Sequence, residues 1–427
     1  MRIKWSIFII ILLLLLSGCT KATRKGENRI TIQFSYEAAG SWMQMIEDTV
    51  RAFEKQYPNI EVKTDVVNHS ILYRTKLLTR IASGAAPDVV YIDTNNFAAF
   101  YGKGVLLDLT PFIMKDDSFS LEDFYPSIVD YFTVDGKIFV IPRDVSAVSP
   151  VFYNKKLFDE RGIPYPTSDW DWNKLVEVAK KLTVVENGKV KQYGFYANDW
   201  LNFIYSNGGK IVDNQKNPKK CLLDDPKVIQ ALKFYSDLMF RYRISPSLVD
   251  RNNLGMGIAE LFMTGKVAMV NAGIWWVPEF RKIKDFEWDI VMFPRSPYTG
   301  LRKFNGGGSG YAIVKGTKHP KEAWQLVKYL SGKEGQKILT REGLIQPAIV
   351  SLANSEYFLK DPAPPSNKKV FIESIDDIIF PPQTPRWTEI LYKIIFPEFE
   401  FVFLQQKTPE EVVKEITRKV NAILNEQ

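Results

Sequence analysis

With 427 residues, 45% hydrophobic and 13% aromatic, the chain can bury a sizeable core and divide it between more than one domain. Its net charge of +7 is spread along the sequence without a clustered basic run, which argues against a nucleic-acid-binding stripe. Cys19, Cys221, His69 and His319 are the only cysteines and histidines, so a Cys/His metal centre is excluded and no cofactor is expected.

The N-terminus carries a basic pair, Arg2 and Lys4, then an apolar run from Ser6 to Leu16, then Ser17-Gly18-Cys19. The run is shorter than the roughly 20 residues a helix needs to cross a bilayer, so it reads as a processed signal. Leu16-Ser17-Gly18-Cys19 resembles the bacterial lipobox. That resemblance implies a signal peptide over 1–18 and a diacylglycerol thioether on Cys19. Residues 19–28 are polar and basic without apolar periodicity, as a flexible tether is. The mature chain is thus expected on the extracytoplasmic side of the cell membrane, anchored in the bilayer by the acylated Cys19 without spanning it. Cys221 is then left without a disulfide partner.

From Ile30 the residues Ile-Thr-Ile-Gln-Phe alternate as a strand, and Trp42 to Gln56 carries apolar residues at helical spacing. Ile60 to Lys63 alternates again, Leu72 to Ala82 is helical, and Val89 to Ile92 is a continuous apolar strand of the parallel-sheet kind. This is a βαβαβ unit. A surface helix near Glu122 to Val129 and strands at Lys137 to Pro142 and Val151 to Asn154 follow. Between those strands Arg143 to Pro150 is irregular and polar, as a crossing between domains would be. Asp171 to Leu182 and Pro226 to Tyr242 are helical, Tyr193 opens a second set of strands, and Val267 to Val270 and Trp288 to Phe293 belong to it. Pro294 marks a second crossing. The glycines from Gly306 to Gly310 precede a strand at Tyr311 to Val314; they lack the Gly-Lys-Ser/Thr ending of a phosphate loop, so close backbone approach at a cleft is expected. Helices at Lys321 to Leu330 and Gly335 to Arg341 come next, and the chain from Asn367 to about Leu424 reads as mostly helical.

Six collinear segments carry a family resemblance. They are Phe53-Glu54-Lys55-Gln56-Tyr57-Pro58-Asn59-Ile60-Glu61-Val62, Pro87-Asp88-Val89-Val90-Tyr91, Leu107-Asp108-Leu109-Thr110-Pro111 and Tyr153-Asn154-Lys155-Lys156-Leu157-Phe158. Phe262-Met263-Thr264-Gly265-Lys266-Val267-Ala268-Met269 with Gly273-Ile274-Trp275, and Lys318-His319-Pro320-Lys321-Glu322-Ala323-Trp324, complete the set. The chain resembles the extracellular solute-binding proteins of ABC importers, in the carbohydrate-binding group that includes maltose-binding protein. The resemblance implies an α/β, two-lobed type II periplasmic-binding-protein fold, each lobe a mixed sheet flanked by helices, joined by hinge crossings. Lobe 1 is expected to comprise 29–144 plus 294–344, and lobe 2 to comprise 145–293 plus 345–427. It further implies a monomeric receptor with a carbohydrate ligand in the cleft, hinge closure around it, and delivery to the importer's membrane subunits.

A sugar offers hydroxyl edges and flat C–H faces, so its site needs carboxylates, amides or guanidinium groups with aromatic planes, on loops after strands. Glu37 follows the first strand; Asp93, Asn95 and Asn96 follow the third; Arg143 and Asp144 lie at the crossing. Trp275 follows the Met269-Val270 strand, Trp200 precedes Asn207-Gly208-Gly209, and Trp387 follows Thr384-Pro385-Arg386; these are the stacking candidates. Trp288 and Trp324 read as core. A secreted carbohydrate-active enzyme would use the same residue types with two carboxylates about 5–10 Å apart. No catalytic motif is present, so no enzymatic activity is expected. A receptor of the same fold for an anionic uronate or another polar solute stays open.

Overall fold

The computed structural model describes residues 29–426 apart from His69. The expected signal peptide, Cys19 as the expected acylation site and the expected tether lie outside the described residues. Among the described residues no helix is long and apolar enough to cross a membrane.

β1 (Ile30–Glu37) alternates as its pattern predicts, with Ile32, Phe34 and Tyr36 fully buried. β2 (Ile60–Val67) and β3 (Val89–Asp93) flank it, both parallel to it. Parallel neighbours need crossover segments, which α1 (Ser41–Gln56) and α2 (Ser70–Ala82) supply. α1 buries Ile46, Val50 and Phe53, one stripe at helical spacing. The carboxyl ends of β1 and β3 therefore share one edge, with Glu37 and Asp93 on it, and α3 (Thr94–Tyr101) starts immediately after Asp93.

β4 (Ile141–Ala147) is buried along its whole length and leads into a second, three-stranded sheet. There β5 (Pro150–Asn154) lies between β6 (Met269–Asn271) and β7 (Trp288–Met292), antiparallel to both. α4 (Trp172–Leu182), α5 (Trp200–Ser206) and α6 (Pro226–Phe240) pack around it. The strand expected at Tyr193 is reduced to parallel bridges from Tyr193 to Val267 and from Tyr196 to Val270.

β8 (Phe304–Ile313) then returns between β3 and β4, antiparallel to each. α7 (Pro320–Ser331) and α8 (Lys333–Arg341) cover the first sheet beside α1. β9 (Ile378–Ile379) joins the start of β8 and completes a six-stranded mixed sheet. The expected helical run from Asn367 is interrupted by β9 and by Pro381, Pro382 and Pro385, which deny that stretch helical hydrogen bonds, and further on by a π-helical turn over Ile390–Ile395. α9 (Phe396–Phe403) and α10 (Pro409–Asn425) close the second lobe.

The buried apolar residues form two cores, and the molecule is bilobed. Val145 belongs to the first and Ala147 to the second; Phe304 belongs to the second and Tyr311 to the first. β4 and β8 therefore carry the chain between lobes as one hydrogen-bonded pair. The crossing placed at Pro294 falls later, on β8. Phe293 is buried in the second core, and the following segment is tied there by Ser296 Oγ donating to Asn207 Oδ1 (2.8 Å) and Thr299 Oγ1 to the Ser206 carbonyl (2.8 Å). Ile345, Ala348, Ile349 and Leu352 pack in the first core, so the chain leaves lobe 1 after residue 344, where the sequence reading ended it.

The Gly306 to Gly310 run lies inside β8 and is not a loop before it. A Cβ on Gly308 would stand 2.3 Å from the Asp144 carbonyl oxygen, and one on Gly310 2.1 Å from that of Ile141. The absent side chains let the two crossing strands approach.

Candidate functional site

A cavity of roughly 310 Å3 opens between the lobes at the carboxyl ends of β1 and β3. Six of the nine sequence candidates line it: Glu37, Asp93, Asn95, Arg143, Asp144 and Trp275. Strand register explains the meeting of three of its polar groups. Ser309 of β8 pairs with Asp93 of β3 on one side and with Asp144 of β4 on the other, so Asp93, Ser309 and Asp144 form one row across three strands.

Both carboxylates of the row are held in place. Asp93 caps α3: Asn96 donates its backbone N–H to Oδ1 (2.8 Å) and its amide to Oδ1 (3.1 Å) and Oδ2 (3.0 Å). Burial raises the Asp93 pKa above the ordinary carboxylate value, the Asn96 bonds counter this in part, and the Asp144 charge adds to the rise. Asp144 Oδ2 accepts from Arg143 Nε (2.7 Å) and Ser309 Oγ (2.6 Å), and the second Arg143 nitrogen stands 2.6 Å away. All three partners converge on Oδ2, and Asp144 lines the cavity. The Arg143 guanidinium also lies 5.0 Å from the centre of the Tyr91 ring. Burial alone would lower the Arg143 pKa; the adjacent Asp144 charge outweighs it and raises the value, so the side chain stays a cation.

Across the cleft, Trp275 stands on the turn Ile274–Trp276 of the second lobe and packs against both cores. Its indole folds back over Gly273, where a Cβ would lie 2.2 Å from the ring. Trp42 on α1, Tyr91, Ser146, Asn305 and the β8 glycines also line it. The glycines were expected at a cleft; Trp42, Tyr91, Ser146 and Asn305 were missed. Tyr91 and Ser146 look like ordinary strand residues until register is known, but an aromatic in the first turn after a strand-end loop could have pointed to Trp42.

Three candidates stand elsewhere. Asn96 is buried behind Asp93 as its cap partner. Trp200 is buried in α5 and meets Phe399 edge-on at 4.6 Å, because α9 covers that face. Trp387 is buried in the second core; the neighbouring Thr388 is the residue whose hydroxyl reaches across to the Asn95 carbonyl, at 3.5 Å. One position along a helix turns a side chain by about 100°, enough to move it from cleft to core.

Residues 35–337 match the family model described as bacterial extracellular solute-binding protein. The chain belongs to that family. It is 24% identical to the galactooligosaccharide-binding protein of Bacillus subtilis, over 81% of this chain and 79% of the relative. Among solved structures it is similar to an ABC substrate-binding protein from Listeria monocytogenes in complex with cycloalternan. The identity is 28% and the TM-score 0.84, with 93% of this chain and 99% of that one covered. A maltose-bound protein of T. maritima shares the fold at TM-score 0.79 and 22% identity, over 92% of this chain and 100% of that one. The matched family is one of solute binders, and this solute-binding protein is a receptor, not an enzyme.

Proposed function

We propose that this solute-binding protein captures a sugar or oligosaccharide between its lobes and delivers it to the membrane subunits of an ABC importer. The observation that carries the reading is the Asp93–Ser309–Asp144 row facing Trp275 across the cleft. Fixed acceptors suit hydroxyl edges, and an indole plane suits the apolar face of a sugar ring. The galactooligosaccharide of the Bacillus relative's name and the cycloalternan in the Listeria complex support the same class. The lipobox supports a chain tethered to the cell membrane through Cys19, with importer and ligand on the same side.

A receptor for an anionic uronate is disfavoured by charge. Glu37, Asp93 and Asp144 outnumber Arg143 in the lining, and Arg143 is already paired with Asp144. Isothermal titration against neutral and uronate oligosaccharides of equal length tests the reading. Neutral sugars bind and uronates do not; Trp275→Ala weakens binding by at least about thirtyfold, as loss of an anchoring aromatic costs about 2 kcal/mol or more. Turnover of any sugar, or unchanged affinity in Trp275→Ala, contradicts it.

A further inference from the structure

The segment that presents Trp275 to the cleft also carries polar contacts between the lobes. One turn beyond the indole, the helix Val277–Phe280 is buried against the second core through Val277 and Phe280. Glu279, on that turn, accepts from Ser41 Oγ at 2.9 Å; Ser41 opens α1 of the first lobe. Arg281, directly after it, donates to the Arg341 carbonyl at 2.7 Å. That carbonyl ends α8, where a helix leaves its last oxygens without internal partners and presents negative potential. The rest of the guanidinium is fixed within its own lobe, by the Pro364 carbonyl (2.8 Å) and the Asp361 carboxylate (2.9 Å). Gly343 lets the two surfaces meet: a Cβ there would stand 2.5 Å from Val277 Cγ1.

We infer that Arg281 and Glu279 form a clamp that positions Trp275 over the ligand by holding the lobes closed, without touching the ligand themselves. The inference rests on the receptor reading of the cleft and adds the residues that set its open–closed balance. A ligand that draws Trp275 toward the first lobe brings Glu279 to Ser41 and Arg281 to α8 in the same movement, because one rigid turn carries all three. Opening breaks both contacts together. Arg281 suits the role better than lysine would, since one planar fork satisfies acceptors in two lobes at once.

Amide hydrogen exchange on the full chain tests the clamp, read at Leu344 and Trp276 at the lobe contact and at β1 in the core. Arg281→Ala speeds exchange at the contact about tenfold, and Ser41→Ala, which removes only a hydroxyl, about threefold, while β1 stays at the wild-type rate. Malto- and galacto-oligosaccharides slow the same contact amides in the wild type and slow them less in both variants. Contact amides that exchange at wild-type rates in both variants overturn the clamp. A rise shared equally by β1 also overturns it, since that would mark a merely structural loss. Sugars that slow nothing in the wild type contradict the receptor reading, while the unliganded comparison still decides the clamp.

Discussion

Arg143 and Asp144 show how one residue pair serves the site. Both side chains are about nine-tenths buried, at 9% and 10% exposure, so each charge depends on the other. Arg143→Ala leaves the Asp144 charge unpaired and is expected to cost about 3–5 kcal/mol in urea unfolding. Replacing both by leucine recovers most of that stability, since two apolar side chains leave no buried charge behind, yet it abolishes sugar binding. A single Arg143→Ala variant as stable as the wild type would show that water reaches the pair. The two residues were legible in the sequence as a charged dipeptide after a strand; their burial was not. Trp387 shows the limit at this scale. The sequence reading expects an aromatic in the cleft at this point of the chain; in the structure Trp387 is buried in the second core, and one residue on, it is Thr388 whose hydroxyl reaches the Asn95 carbonyl.

At the scale of elements, the strands of the first lobe were readable because parallel, doubly covered strands are written as apolar runs. β8 was not. Its first half is glycine-rich, a composition that reads as a loop because glycine has no strand preference. Only the partner strand β4, more than a hundred residues earlier, reveals that the glycines are there to be crossed closely. Gly308→Ala is expected to destabilise by about 1–3 kcal/mol, as overpacking does, because its Cβ meets a backbone carbonyl that cannot rotate away. Thermal unfolding checks this, and an unchanged midpoint would mean that the pair of crossing strands can slide apart at no cost. The row Asp93–Ser309–Asp144 depends on the same register. It was invisible for the same reason: long-range antiparallel pairing leaves no local trace in the sequence.

Across the whole molecule, two cores are joined by β4 and β8, and the cleft lies where those strands pass between them. The bilobed plan was legible from six collinear segments, whereas the position of the second crossing was not, since a proline after a strand marks its end and says nothing of which lobe comes next. The geometry makes the cleft a meeting of unlike surfaces: fixed hydrogen-bonding groups from the first lobe and an indole from the second. A crystal structure of the chain grown with a neutral oligosaccharide tests this most directly. The predicted result is a sugar ring lying on the Trp275 indole with hydroxyls on Asp93 and on Asp144. A sugar bound outside the cleft, or a cleft that stays empty while calorimetry shows saturation, would contradict it.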